Sequence, residues 1–158
     1  MGLWNQLDAK QRRVVVVPVR ISSSADDEEI LMGAQAALQQ ALAREDQTGA
    51  VAELEKAVEQ AAARVRGHWA EIELHAMPAD EWDAAVTTWR AGDDGEINWS
   101  KALAPLLAES CVDPDGRDVE RWQRTLARPE WSEGDRDALK RGLLQANVIS
   151  ADPFYPKG

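Results

Sequence analysis

The chain has little cysteine, phenylalanine, tyrosine or histidine. It contains one Cys, one Phe, one Tyr and two His among 158 residues. A single cysteine, Cys111, excludes an internal disulfide and suits a reducing compartment. Cys111 follows the end of a predicted helix, where the helix dipole raises the pKa of a thiol. We therefore interpret it as a small buried apolar residue and not as a nucleophile.

Long apolar runs and excess positive charge are also missing. No run approaches the roughly 18 residues that cross a membrane, and "MGLWNQLDAKQRR" lacks the apolar segment of a secretory signal. The expected location is therefore the cytoplasm, with no membrane partner. The chain has 18 Lys and Arg against 28 Asp and Glu, a net charge of −10. Such a chain repels phosphate backbones, which argues against nucleic acid as a partner.

Residue patterns that carry chemistry are equally scarce. His68 and His75 lie on one predicted strand but on opposite faces, so they are interpreted as two separate surface residues. The loop "DPDGRDVE" fails as a calcium site, because an EF-hand counted from Asp113 requires Glu where Arg124 stands. Its acids fit helix capping better, with Asp115 as the cap. The sequence has no phosphate-binding glycine loop and no nucleophile elbow. We therefore expect no enzyme activity, no catalytic residue, no metal and no cofactor.

The first half of the chain predicts two strands that flank a helical hairpin. "RRVVVVPVRIS" is rich in β-branched residues, and Pro18 places this strand at a sheet edge. Ser24 is the expected N-cap of the first helix, and Thr48 is a plausible cap of the second. Apolar residues recur at helical spacing in both helices: Ile30, Ala34, Ala37 and Ala41, then Val51, Leu54, Val58, Ala61 and Val65. This spacing predicts a hairpin over 24–66 with arms about 27 Å long; the alternative is one continuous helix of about 40 residues.

A second strand is predicted by alternation in "HWAEIELHAMP". Because a helical hairpin returns the chain to its starting point, the two strands can pair antiparallel at its base. Two strands alone are marginal, so helices should pack on them. We define the first region as 1–78, a strand, a helical hairpin and a strand.

The remaining residues, 79–158, predict a small helical bundle with an extended tail. Trp82, Ala85, Val86 and Trp89 share one helix face. Pro105 should kink an apolar helix or mark its restart. Trp122 belongs to a short helix, and Ser132 with Asp135 resembles a capping box before the last helix. The predicted fold class is mainly α (α+β): an antiparallel strand pair flanking a helical hairpin, followed by a small helical bundle.

The order of these features resembles the tail assembly chaperones of long-tailed (siphovirus-type) bacteriophages and prophages, in the form found in actinobacterial phages. "MGLWNQLDAKQRRVVVVPVRI" resembles that family's Trp-containing lead into a basic strand. "LAPLLAESCVDPD" is similar to its apolar helix followed by an acid and Pro, and "WQRTLARPEWSEGDRDALKRGLLQANVISADPF" resembles its final helices and Pro-Phe tail. Trp99, where Phe and a Pro pair are expected, and the early Trp of "PEWSEG" depart from the pattern and bear on local helix boundaries.

The resemblance implies a specific function. Such chaperones bind the tape measure protein, a long helical chain with exposed apolar surface, and keep it soluble in the host bacterial cytoplasm while the tail tube assembles. They are absent from the finished virion. A −1 ribosomal frameshift usually yields a longer form, whose extension is thought to recruit tail tube protein; this chain would be the short form. The alternative is a small structural tail or head-tail completion protein that stays in the virion.

Two hypotheses follow for the residues involved. The partner surface should lie on the hairpin, 24–66, or on the Trp-bearing helices, 79–147; the candidate residues are Trp82, Trp89, Trp122, Leu54 and Val58. The tail "YPKG" can be encoded as a slippery heptamer, C CCA AAG, so the RNA can dictate part of it. Phe154 and Tyr155 can also pin the C-terminus to the domain, and an exposed docking peptide is a third reading.

Overall fold

The computed structural model describes residues 2–44, 48–91 and 95–149. Over these ranges the chain forms seven α-helices, a short 3-10 helix at Pro114–Arg117 and two strands. In chain order the elements are α1 Leu3–Asp8, β1 Val14–Arg20, α2 Ala25–Ala43, α3 Thr48–Arg66, β2 Trp69–His75, α4 Ala79–Thr88, α5 Trp99–Ser110, α6 Val119–Leu126 and α7 Glu133–Asn147. The predicted mainly helical fold with one antiparallel strand pair is confirmed. The tail residues Phe154 and Tyr155 lie outside the described ranges.

Two compact units make up the chain. We call Pro18–Glu71 the hairpin unit, and Met1–Val17 together with Ile72–Gly158 the helical unit. This division passes through both strands and differs from the predicted division at residue 78.

The two strands pair with each other. The first part of β1 and the last part of β2 belong to the helical unit, and the rest of both strands belongs to the hairpin unit. In the helical unit the backbone N–H of Ala76 donates to Arg13 O at 2.8 Å. In the hairpin unit the N–H of Ile21 donates to His68 O at 2.8 Å. Pro18 is tolerated because a two-stranded sheet leaves one edge of β1 without a ladder partner.

The hairpin unit consists mainly of α2 packed against α3. The chain leaves α2 at Ala43 and enters α3 at Thr48, so the alternative of one continuous helix is wrong. The predicted α3 seam is confirmed, since Val51, Leu54, Val58, Ala61 and Val65 are all at least partly buried. On α2, however, Leu31 and not Ile30 begins the inner face; Ile30 is 50% exposed.

The core of the helical unit is built around α5. Helices α6 and α7 both pack on α5, and its buried apolar residues run from Ala102 to Ala108. The helix is continuous across Pro105, so the predicted restart is wrong. Buried residues from the neighbouring elements complete this core: Val17, Leu74, Trp82, Val86, Cys111, Leu126, Leu139, Leu143 and Ala146.

Of the predicted helix caps, Ser132 is confirmed and Asp115 is wrong. Ser132 and Asp135 form the expected capping box of α7, with reciprocal hydrogen bonds of 3.1 and 2.9 Å. Asp115, however, caps no helix. Asp113 caps the 3-10 helix by accepting from the N–H of Asp115, and Asp118 caps α6. The prediction chose the wrong acid because three lie within six residues and several of them satisfy the same local rule.

Candidate functional site

Three adjoining cavities follow α4 in the helical unit, and we call them together the groove. Their volumes are about 340, 470 and 410 Å³. The first two share Met77, Glu81, Glu109 and Val119 as lining residues. The second and third share Trp89. The groove therefore has a basic end, a middle and a tryptophan end.

The middle of the groove is apolar between two acids. Ala84 and Ala85 of α4 and Pro105 of α5 line it, and Glu81 and Glu109 are exposed beside them. The small side chains of Ala84 and Ala85 leave space on the α4 side, and Leu106 lines the α5 side. The acids make this segment attractive to a basic group.

The tryptophan end combines two indole rings with positive charge. Trp89 and Trp99 line the cavity together with Lys101 and Arg136. Lys140 Nζ lies 5.4 Å from the centre of the Trp99 ring, within the range of a cation–π interaction. The guanidinium of Arg136 is held by a 2.7 Å hydrogen bond to Leu126 O. This end therefore offers flat apolar surface within a positively charged frame.

The basic end brings together Arg12, His75 and Arg117. Burial and then the charges of the two arginines lower the pKa of His75 below 6.5. Its imidazole is therefore neutral at pH 7 and lies in a positive field. In a chain with a net charge of −10, this is an unusual local environment.

The five predicted partner residues do not form one surface. Only Trp89 lines the groove. Trp82 is 8% exposed and belongs to the core. Trp122 is half-buried, and its Nε1–H donates to Gly116 O at 2.6 Å, so it holds the 3-10 segment in place. Leu54 and Val58 lie half-buried in the α3 seam of the other unit.

The sequence interpretation missed an exposed apolar helix at the N-terminus. In α1, Leu3, Trp4 and Leu7 are 63%, 73% and 49% exposed. Their spacing i, i+1 and i+4 is typical of one helix face, and this pattern was visible in "LWNQL". Trp4 thus presents far more surface than the predicted tryptophans Trp82 and Trp122.

His68 is not the separate surface residue that the sequence predicts. Its Nε2 lies 2.6 Å from Asp27 Oδ2, and its Nδ1 lies 2.6 Å from Ser22 Oγ. Asp27 lies in the first turn of α2, His68 in the turn before β2, and Ser22 just after β1. The imidazole therefore joins three segments of the hairpin unit. The residue types match a Ser-His-Asp triad, but the positions are reversed. In a triad serine contacts Nε2 and aspartate contacts Nδ1, whereas here aspartate contacts Nε2 and serine contacts Nδ1.

A second polar set lies at the start of α2. Ser24 occupies the predicted N-cap position, but its hydroxyl donates to Glu28 Oε1 at 2.7 Å and does not cap the backbone. Glu28 also forms an ion pair with Arg20 at 3.3 Å. Arg20 in turn lies 4.9 Å from the centre of the Trp69 ring. These contacts serve the hairpin's structure and leave no free nucleophile there.

Cys111 is buried, as predicted. Burial is the main cause that raises the pKa of its thiol, which keeps it protonated and unreactive. Its backbone also forms an antiparallel bridge with Leu74, and the N–H of Val112 donates to Glu73 O at 3.0 Å. Cys111 thus extends the edge of β2 inside the helical unit.

The described residues offer no metal site and no membrane span. Within residues 2–44, 48–91 and 95–149, no group of three or more His, Cys, Asp or Glu could hold a metal ion. None of the helices in those ranges is both long and apolar enough to cross a membrane. Comparisons with protein-family models, with curated proteins and with solved structures find no match to this chain.

Proposed function

We propose that this chain is a phage tail assembly chaperone that binds the tape measure protein through the groove. The residue-level resemblance supplies the partner, and the groove supplies a place for it. The observation that carries the proposal is that Trp89 lines both the middle cavity and the aromatic cavity. The chain is proposed to act in the host cytoplasm, before the tail is complete, as the short form of a frameshift pair.

An amphipathic helix suits the groove better than a folded domain does. Helix-in-groove binding places the apolar side of a partner helix between two helices of the receptor. Here α4 and α5 are the two walls, with Trp89 as the aromatic anchor. Glu81 and Glu109 favour basic residues on the partner helix near the middle of the groove. A long helical chain rich in exposed apolar surface provides such segments repeatedly.

The small size of the groove also fits a chaperone that must release its partner. The binding free energy is what remains of the contact energy after the entropy lost on association is subtracted. A short apolar contact therefore gives only modest affinity. Masking apolar surface with an acidic protein keeps the complex soluble, because net charge opposes aggregation. Weak binding at many sites along the partner would combine solubility with reversibility.

The first test is co-expression with the tape measure protein encoded in the same genome. The double variant Glu81→Lys/Glu109→Lys should lower the soluble fraction of the tape measure protein, since both acids are exposed groove residues. Glu96→Lys/Glu120→Lys changes the net charge equally at exposed residues that do not line the groove cavities, and should leave that fraction unchanged. Equal effects of the two double variants would contradict the groove as the binding site.

A filling variant separates binding from folding. Ala84 is exposed on α4 and lines the groove. Leu has a helix propensity close to that of Ala, so Ala84→Leu should fold normally while occupying the groove. We expect normal thermal unfolding and reduced solubilisation of the tape measure protein. If Trp4→Ser reduces solubilisation and Ala84→Leu does not, the exposed face of α1 is the binding surface and the groove is not.

Two observations test the function itself. Mass spectrometry of purified virions should not detect the chain, and its presence there would favour a structural tail or head-tail completion protein. Expression of the N-terminally tagged native gene with its downstream DNA should give a minor longer product. A single product would contradict the frameshift pair but leave a chaperone without an extended form.

A further inference from the structure

We propose that the basic end of the groove is a binding site for a carboxylate group. Arg12 precedes β1, His75 ends β2 and Arg117 ends the 3-10 helix, and all three line one cavity of about 340 Å³. Three segments that are distant in sequence thus bring donor-bearing side chains to the lining of one cavity. Carboxylate binding here does not require that the chain be a tail chaperone.

The two arginines are not tied up in ion pairs within the described ranges. Among the residues that the structure describes, neither Arg12 nor Arg117 forms an ion pair. Arg117 Nε donates one long hydrogen bond, 3.4 Å, to Cys111 O. Glu81 and Glu109 line the same cavity but form no ion pair with either guanidinium. Two guanidinium groups beside one cavity therefore keep most of their donors for a ligand.

His75 lies in the field of both arginines. Only Arg12 and Arg117 act on its pKa through charge, and both lower it. The two glutamates, which also line the middle of the groove, do not oppose them there. The cavity thus has a basic inner part around His75 and an acidic side towards α4 and α5.

This arrangement favours a single carboxylate over phosphate. With His75 neutral, the lining charges are two arginines and two glutamates, which sum to zero. Desolvation cost rises steeply with ionic charge, so a dianionic phosphate loses more on leaving water than a monoanionic carboxylate, and a lining whose charges sum to zero does not offset that loss. A planar carboxylate also matches the paired donors of guanidinium. The volume lies at the lower end of ligand pockets and suits an amino-acid side chain or a small acid.

Histidine NMR on the full chain tests the proposal directly. The probes are acetate, the α-amide of N-acetylglutamic acid, which carries only the side-chain carboxylate, and inorganic phosphate. Each probe replaces chloride at constant ionic strength, so that chloride is the reference anion. A carboxylate should shift the His75 imidazole signals and raise the pKa of His75, because the anion offsets the arginine charges. His68, in the other unit, is the internal reference.

Variants assign the effect to the two arginines. Arg12→Gln or Arg117→Gln should weaken carboxylate binding about tenfold or more, as expected for one lost charge-assisted hydrogen bond. Both side chains are exposed, so the variants should fold. Arg128→Gln removes an exposed arginine that pairs with Glu130 and lines no groove cavity, so it should leave binding unchanged.

The outcomes separate the possible sources of the carboxylate. A stronger response to the glutamate derivative than to acetate would support the site and indicate a polypeptide side chain as ligand. Equal responses would support a site for any small carboxylate. No response of His75 beyond that to chloride would overturn the proposal, and so would stronger binding of phosphate than of either carboxylate.

Discussion

Gly142 provides a sharp test of how closely α7 approaches the sheet. It lies in the interior of α7 and is buried. A methyl group at this position would overlap Cγ2 of Val17 and lie 3.3 Å from Cδ1 of Leu74. Glycine inside a helix is normally unfavourable by about 1 kcal/mol relative to alanine. Gly142 is therefore explained by packing and not by helix preference.

The expected sign of Gly142→Ala follows from two opposing effects. Alanine gains about 1 kcal/mol of helix propensity. Overpacking a filled core costs about 1–3 kcal/mol, and Val17 is a stiff β-branched residue with 4% exposure that cannot rotate away. We expect a net destabilisation of up to about 2 kcal/mol. Gly33 in α2 has no atom within 4 Å of such a methyl, so Gly33→Ala should stabilise the hairpin unit by about 1 kcal/mol.

Urea denaturation monitored by circular dichroism measures both free energies of unfolding. The two units can unfold separately, so two transitions should be fitted where they resolve. In a Val17→Ala background the overlap is removed, and Gly142→Ala should then cease to destabilise. If Gly142→Ala stabilises the wild-type chain as Gly33→Ala does, the close approach of α7 to β1 is refuted.

Other local features lead to predictions of their own. Gly116→Ala should destabilise the helical unit by about 1–3 kcal/mol in urea denaturation, because its methyl overlaps Cys111 Sγ; adding Cys111→Ala should recover part of the loss. Asp27→Ala should lower the stability of the hairpin unit by about 1 kcal/mol through loss of the hydrogen bond to His68, and an unchanged unfolding curve would refute this. The helical unit should also lose stability as pH falls below 6.5. The reason is that folded His75 has a lowered pKa, so protons bind more readily to the unfolded chain. His75→Gln should lack this loss, and a loss of the same size in the variant would assign it to other groups.

Local patterns in the sequence predicted the helices and strands well. The α3 seam, the capping box at Ser132 and the alternation of β2 depend on residues within a few positions of one another. Such rules fail where the contacts of a side chain are made with residues far away in the sequence. The partners of His68 lie 41 and 46 positions away at Asp27 and Ser22, and no local rule links them.

The candidate site was less predictable than the fold for a related reason. Helical spacing placed Trp82 in α4, but Trp89 lies one residue past the end of that helix, as its C-cap. It could not say that one ring would be buried in the core and the other left beside a groove. That difference depends on the tertiary packing around α4 and not on spacing along the helix. Trp122 was likewise placed on the right helix face, but its hydrogen bond to Gly116 follows from a loop conformation.

The groove can be traced to a shortage of side-chain volume between two helices. Trp82 and Val86 attach α4 to the core through large buried side chains. On the adjoining part of α4 the residues are Ala84 and Ala85, whose small side chains leave space, and α5 presents Pro105 and Leu106 there. In such an open channel the apolar lining atoms face water, and a partner that covers them gains hydrophobic stabilisation. A chain that retains such a channel leaves contacts for another molecule to make.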